Sequence, residues 1–360
     1  MAEEMVHPFS LWCAPVPIKH AIEQDALAPF PKPEAPAVDE KAEGCNQDRL
    51  MSSLPTKVYG KRRFLKYQAT WWPEVFLPGV LAIQRRFQPR SSDVLLASYP
   101  KSGTTWMKAL AFAIMSRKVY PLEEHPLLRL NPHDCVVHLP GAYAAGKESV
   151  VEALPSPRIM ALHMPYSTLP DSVVVNSDCK IIYVCRDPKD VLVSLWHYYN
   201  KVRPDEAHLS QFHDLYESFC QGDTIFGPWW DNVLGYFRAS LDMPTRVLFL
   251  RYEDMLEDTA SAVMAIAHFV GCPFSGEEER AKVVEAIVKL CSFDELKNLN
   301  TNKSGSHGLL RKHASSSYFR KGVAGDWMDH MTEEMAHRID TIVQGKFQGS
   351  GLNIKSAAST

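Results

Sequence analysis

The sequence predicts an α/β fold with a central parallel sheet flanked by helices on both faces, and three observations carry that prediction. Short, almost wholly apolar runs recur at residues 94–99, 159–162, 181–185 and 247–250. Runs without polar alternation read as strands buried on both faces, as parallel strands covered by crossover helices are. Segments with helical periodicity follow three of these runs, giving strand, turn and helix in repetition. Finally, the residues able to do chemistry cluster just after the runs, where ligands sit in such folds.

The elements justify themselves in order. Run 94–99 leads through a turn containing Gly103 into a helix with Trp106, Leu110, Ala113 and Ile114 on its apolar faces. Run 181–185 is followed by Asp187, suited to an N-cap, Pro188 at the first helical position and Asp190 in the first turn. Run 247–250 passes through Tyr252-Glu253-Asp254 to a helix over about 261–270, closed by Gly271. Run 159–162 reads as a fourth strand.

Hydrophobic residues make up 46% of the 360 and charged residues 22%, the balance of a globular chain with a sizeable core. The net charge of -3 argues against a nucleic-acid or anionic-membrane surface as main partner, since those need excess Lys and Arg. Eight scattered cysteines without a CxxC pair read as reduced thiols rather than a disulfide scaffold or zinc site. The acidic start lacks an apolar signal region, and no uncharged apolar run approaches the ~20 residues of a membrane span. A soluble, cytoplasmic protein is expected. Residues 56–346 are expected to form one domain. Residues 1–55, interrupted by Pro15, Pro17, Pro29, Pro31, Pro33, Pro36 and Pro55, are expected to be an extended or disordered extension. Residues 347–360 read as a flexible tail.

The first turn reads Tyr99-Pro100-Lys101-Ser102-Gly103-Thr104-Thr105-Trp106. Small residues let the backbone wrap closely around an anion, and the helix that follows offers free N–H groups and a positive dipole end. Lys101 adds charge, and Thr104 and Thr105 add hydroxyls. The common ATP-binding loop places lysine after its second glycine, whereas Lys101 precedes the only glycine, so an ordinary ATPase is disfavoured.

This string resembles the 5'-phosphosulfate loop of the cytosolic sulfotransferases. Residues 186–194 (RDPKDVLVS) resemble that family's 3'-phosphate segment, and residues 319–327 (FRKGVAGDW) resemble its C-terminal signature. The similarity runs from about Tyr67 to Gly345, and the stretches around Asn131-Pro132-His133-Asp134 and Leu234-Gly235-Tyr236 resemble plant members most. The resemblance implies a P-loop-like site for 3'-phosphoadenosine 5'-phosphosulfate (PAPS), sulfuryl transfer to a hydroxyl of a small organic acceptor, and no metal.

Residue by residue, Arg186 and Ser194 suit a phosphate, one as a bidentate guanidinium and one as a hydroxyl two helical turns on. Read alone, a capping arginine paired with Asp190 is the lesser alternative for Arg186. Arg320-Lys321-Gly322 has the composition of an anion nest, and alone would be a solvated basic turn. By resemblance all of these surround the 3'-phosphate. Trp106, Tyr252 and Phe293, singly core aromatics, match positions around the adenine. His163, at the end of run 159–162, matches the family's catalytic base, a task its ordinary pKa of ~6.5 suits. Ser194 is implied to restrain Lys101, which with Thr104 and Thr105 stabilises the departing phosphate.

The chain departs from the family where animal members carry Lys-Thr-His: here Ala161-Leu162-His163 removes a cation, as plant members commonly do, and a threonine hydroxyl. The dimer motif KxxxTVxxxE is reduced to Met328, Thr332, Glu333 and His337, with only the threonine kept, so a monomer is expected. For the acceptor pocket Trp71, Trp72, Tyr166, Phe226 and Trp230 are candidate apolar walls, each also a candidate core residue, with His133 as a further pocket residue. Flavonoid, steroid-like, hydroxyjasmonate and strigolactone-type acceptors all remain open. Two rivals stand beside this reading. A nucleoside kinase would prefer ATP to 3',5'-adenosine bisphosphate (PAP). A non-catalytic binding protein would keep the nucleotide site without turnover.

Overall fold

The computed structural model describes residues 14–27, 40–59, 62–202, 211–310 and 312–354. A small antiparallel sheet comes first, with β1 (Thr56–Tyr59), β2 (Arg62–Tyr67) and β3 (Thr70–Pro73) in chain order. The central sheet follows: β4 (Val94–Ser98), β5 (Val137–His138), β6 (Ile159–Leu162), β7 (Lys180–Cys185) and β8 (Val247–Arg251). Its spatial order is β5-β6-β4-β7-β8 and every pairing is parallel. The four apolar runs are four of these five strands. β5, only two residues long, is too short to show in the sequence.

The period of two along the strands builds two cores. Leu95, Ala97, Met160, Leu162, Ile181 and Tyr183 pack into one layer. Val94, Leu96, Ile159, Ala161, Ile182 and Val184 pack into the other. The first layer is covered by helices that include Leu77–Arg86, Pro188–Val202, Trp229–Asp242 and Glu333–Phe347. The second is covered by Thr104–Ser116, Thr259–Phe269 and Val283–Leu290. Strands buried on both faces explain why their sequences lack alternation.

The N-terminal stretch differs from expectation. Helices occupy Ile18–Leu27 and Glu40–Ser53. Pro15 and Pro17 stand before the first turn rather than inside it, where proline costs a helix nothing. Ile18 is buried in the first core layer, with Ala21, Ile22, Leu50 and Met51 packed against it. Pro29, Pro31, Pro33 and Pro36 lie outside the described residues, as do residues 355–360 of the expected tail. Leu352 and Ile354 of that tail pack against the core. The six cysteines whose side chains are described are unpaired thiols. No described helix is long and apolar enough to cross a membrane.

At the amino ends of the strands, Asp93 joins three of them. Its carboxylate accepts from Arg158 Nε at 2.9 Å and from the Arg90 N–H at 2.8 Å. Its carbonyl accepts from Lys180 N, while Val94 N donates to the Arg158 carbonyl, each at 2.9 Å. Arg158 and Asp93 are both buried. Removing one partner leaves an uncompensated buried charge, so Asp93→Ala should lower stability by about 3–5 kcal/mol in urea denaturation.

Candidate active site

The chain leaves β4 toward β5 and β6 on one side and reaches β7 and β8 on the other. The carboxyl ends of β6, β4 and β7 therefore flank a topological switch point. A cavity of about 1160 Å³ opens there. Because Ala97 pairs with Leu162 and Ser98 with Val184, the residues just past each strand end side by side. These are the loop from Tyr99, then His163, then Arg186.

The loop reverses direction with Lys101 at φ 71° and Gly103 at φ 100°. Glycine is required at 103 for a second reason, since a Cβ would stand 2.7 Å from Tyr252 Cδ2. Gly103 starts the helix Thr104–Ser116 without a side-chain cap, so its first N–H groups are left for a ligand. Thr104 Oγ1 shares a 2.6 Å hydrogen bond with Ser98 Oγ. Lys101 Nζ lies 4.3 Å from the centroid of the Tyr198 ring.

Arg186 reaches across this loop. It donates to the carbonyls of Lys101 at 3.2 Å and Val323 at 2.8 Å, and its guanidinium stands 4.7 Å over the Tyr252 ring. The pairing with Asp190 read as an alternative is present too, at 3.5 Å. Asp190 in turn accepts from Gly325 N at 2.8 Å and Trp327 N at 3.0 Å, which fastens the C-terminal signature to the helix Pro188–Val202. Arg320 and Lys321 both reach the buried Asp326, and Lys321 also reaches Asp329 at 3.3 Å. Gly322 has φ 71°, and a Cβ there would meet Phe293 Cδ2 at 2.4 Å. Trp106, Tyr252, Phe293, Ser194 and Gly322 all line the cavity, with Trp106 edge-on to Tyr252 at 5.5 Å.

His163 donates from Nδ1 to the Ser98 carbonyl at 2.8 Å. A carbonyl only accepts, so Nδ1 carries the proton and Nε2 keeps its lone pair. Burial, with Lys108 and Lys101 nearby, pushes its pKa down to about 4 despite that bond. Lys101 is lowered to about 7 by burial first, then by Arg186, Arg320 and Lys201. The imidazole is thus held neutral, while the lysine is held close to its own titration at neutral pH.

Of the expected acceptor walls, Phe226 lines the cavity, 5.5 Å from the His163 ring and edge-on to Trp72. The others are displaced from expectation. Trp71 donates its Nε1–H to Asp223 at 2.9 Å, between Lys57 and Lys66. Trp72 is fully buried and bonded to the Tyr67 carbonyl. Tyr166 packs on Tyr236, and Trp230 lies under Lys346. None of these four lines the cavity; Trp72, Tyr166 and Trp230 pack into the first core layer. His133 does line it, but both ring nitrogens are engaged, with Thr105 Oγ1 at 3.0 Å and Lys108 Nζ at 3.1 Å. If the lysine donates to Nδ1, Nε2–H donates to Thr105 and leaves that hydroxyl proton free to donate onward. Ala161 and Leu162, in place of the lysine and threonine of animal members, are buried in opposite core layers.

Sequence reading missed Phe76, His138, Tyr198 and Lys108. Lys108 carried a signal, a lysine on an otherwise apolar helix face beside Met107 and Ala109. Phe76, His138 and Tyr198 carried none.

Comparison with known proteins gives the family of the chain. Residues 91–351 match the sulfotransferase domain family. The chain is 42% identical to cytosolic sulfotransferase 5 of Arabidopsis thaliana, over 84% of this chain and 94% of that one. It is 41% identical to flavonol 3-sulfotransferase of Flaveria bidentis, over 85% and 99%. Among solved structures, an Arabidopsis thaliana sulphotransferase superposes with a TM-score of 0.68 at 37% identity, covering 89% of this chain and 99% of that one. A mouse sulfotransferase complexed with PAP gives 0.64 at 27%, covering 80% and 96%. The fold and site define an enzyme of the sulfotransferase class. The chain belongs to the sulfotransferase family, alongside the plant cytosolic members.

The depressed Lys101 pKa is open to direct titration. Competitive amine labelling followed by mass spectrometry should give half-maximal reactivity of Lys101 near pH 7. Removing a neighbouring cation favours the charged form, so Arg320→Ala should move that midpoint upward.

Proposed function

We propose that the protein transfers the sulfuryl group of PAPS to a hydroxyl of a small, largely apolar acceptor, with His163 as general base. The observation that carries this reading is the meeting of the Lys101–Thr105 loop, Arg186, Arg320 and a neutral His163 around one cavity. Ser102 Oγ, Arg186 Nε and Arg320 Nε are buried with no hydrogen-bond partner among the described residues, which suits a group bearing several phosphate oxygens.

PAPS supplies a sulfuryl group on a phosphate leaving group. Arg186, Ser194, Arg320, Lys321 and the Gly322 backbone hold its 3'-phosphate, the feature that separates it from ATP. Trp106, Tyr252 and Phe293 enclose the adenine. His163 Nε2 takes the hydroxyl proton as the acceptor oxygen bonds to sulfur and the bridging S–O bond breaks. Lys101, Thr104, Thr105 and the helix N-terminus meet the charge left on the phosphate oxygen, and Ser194 restrains Lys101 until then. Positioning and electrostatics carry such a transfer. Among acceptor classes, the flavonol 3-sulfotransferase relative favours flavonoids. Steroid-like, hydroxyjasmonate and strigolactone-type compounds remain in the test panel. We place the protein in the cytoplasm, as its cytosolic relatives are named, acting as a monomer.

The test is transfer from labelled PAPS to that panel. His163→Ala should lower the rate by roughly 10²- to 10⁴-fold while PAP still raises the melting temperature. A kinase would instead be stabilised more by ATP than by PAP. Should PAP bind while no compound is labelled, the nucleotide site stands, and either the acceptor lies outside the panel or the protein binds without turnover. For PAPS, whose kcat/KM reports the unliganded protein, the ratio should fall on the acid side as His163 protonates near pH 4. It should fall again above about pH 7 as Lys101 loses its charge.

A further inference from the structure

His138 lies beside His163, and the use proposed for the cavity leaves it without a role. It ends β5, whose pairing of His138 with Ala161 brings it to the side of β6 that leads to His163. The two ring centroids are 5.3 Å apart, and Phe76 stands edge-on to His138 at 5.6 Å. His138, His163, Phe76 and Phe226 all line the cavity.

The proton on His138 is fixed by the chain itself. Nδ1 accepts from the Gly141 N–H at 3.1 Å, capping the helix Leu139–Ala144. A nitrogen that accepts from an amide has no proton, so the neutral ring carries its hydrogen on Nε2. Burial, with His163 and Lys108 nearby, holds the ring neutral by pushing its pKa well down. His138 Nε2–H is buried and has no hydrogen-bond partner among the described residues. Side by side, then, stand an imidazole offering a lone pair, His163, and an imidazole offering a proton, His138. A hydroxyl alone engages the first. A hydroxyl with a second oxygen on the adjacent carbon engages both, giving its proton to one and a lone pair to the other.

We propose that His138 is a specificity residue, donating from Nε2 to an oxygen neighbouring the reacting hydroxyl, so that the enzyme prefers acceptors with vicinal oxygens such as an α-hydroxy ketone or catechol. This rests on His163 being the base of the proposed transfer. A site built to hydrogen-bond a substrate discriminates against analogues lacking that group, because its buried donor then stays unpaired.

The test compares 3-hydroxyflavone, whose hydroxyl adjoins a carbonyl, with 7-hydroxyflavone, whose hydroxyl does not. Dissociation constants are measured in the presence of PAP, together with kcat and KM where turnover occurs. The wild-type protein should favour 3-hydroxyflavone by about tenfold or more. His138→Phe, which keeps a ring but no donor, should erase that preference through KM. His138→Gln, which restores an N–H, should recover part of it. An unchanged PAP-induced melting shift shows that each variant is folded. Preference retained by His138→Phe, or absent from the wild type, overturns the proposal. Absence of any transfer from PAPS instead overturns the function on which it rests, and the binding comparison still decides the role of His138.

Discussion

Like charges crowded around one loop are the constraint on which the site depends. Lys101, Arg186, Arg320 and Lys201 line the same cavity, and burial first, then the other three cations, bring Lys101 down to about 7. Such a group of cations is stable only with counter-charges inside the fold, and two carboxylates serve, Asp190 beside Arg186 and Asp326 beside Arg320 and Lys321. Both are buried. Their placement does more than neutralise. Asp190 also takes two backbone N–H groups from residues 325 and 327, and Arg186 donates to carbonyls at 101 and 323. One ion pair therefore fixes a strand end, a helix start and a C-terminal turn more than two hundred residues away from the loop against each other.

The register of the sheet sets the second half of the chemistry. Since β4 and β6 run parallel and in step, the Ser98 carbonyl at the end of one strand lies where the His163 ring begins at the end of the other. That single bond decides which nitrogen of His163 is free. The same geometry explains the tolerance of Ala161 and Leu162. In a strand buried on both faces, the two residues before the histidine point into opposite cores, and apolar side chains fill them well.

How much could be read from the sequence follows from where each signal was stored. Four strands of the central sheet were visible because double burial removes polar alternation, whereas β5 contributes only Val137 and His138 and leaves no pattern. The loop around Gly103 and the segment around Arg186 were legible because charge, glycine and helix start sit within a few consecutive residues. The acceptor wall was not. Trp71, Tyr166 and Trp230 are large aromatics with a core to fill, and which way each ring turns depends on partners such as Asp223, Tyr236 and Lys346, remote in sequence from it. Proline counting failed at Ile18–Leu27 because prolines before a helix and prolines inside one look alike in composition, and only position separates them.

The electrostatics of the cavity also bear on the order of events in the proposed reaction. Burial is the first cause that lowers both groups; Arg186, Arg320 and Lys201 add to it at Lys101, and Lys108 and Lys101 add to it at His163, so the imidazole is a weak base and the loop lysine is partly discharged at neutral pH. A polyanion bound among those cations opposes their field. It favours the ammonium form of Lys101 and raises the proton affinity of His163 in the same step. On the function proposed, the loop would be most cationic, and His163 most basic, with the nucleotide in place. In the proposed reaction an acceptor hydroxyl arriving earlier would meet a poorer base, so that the charges proposed to bind the nucleotide would also tie proton removal to its presence.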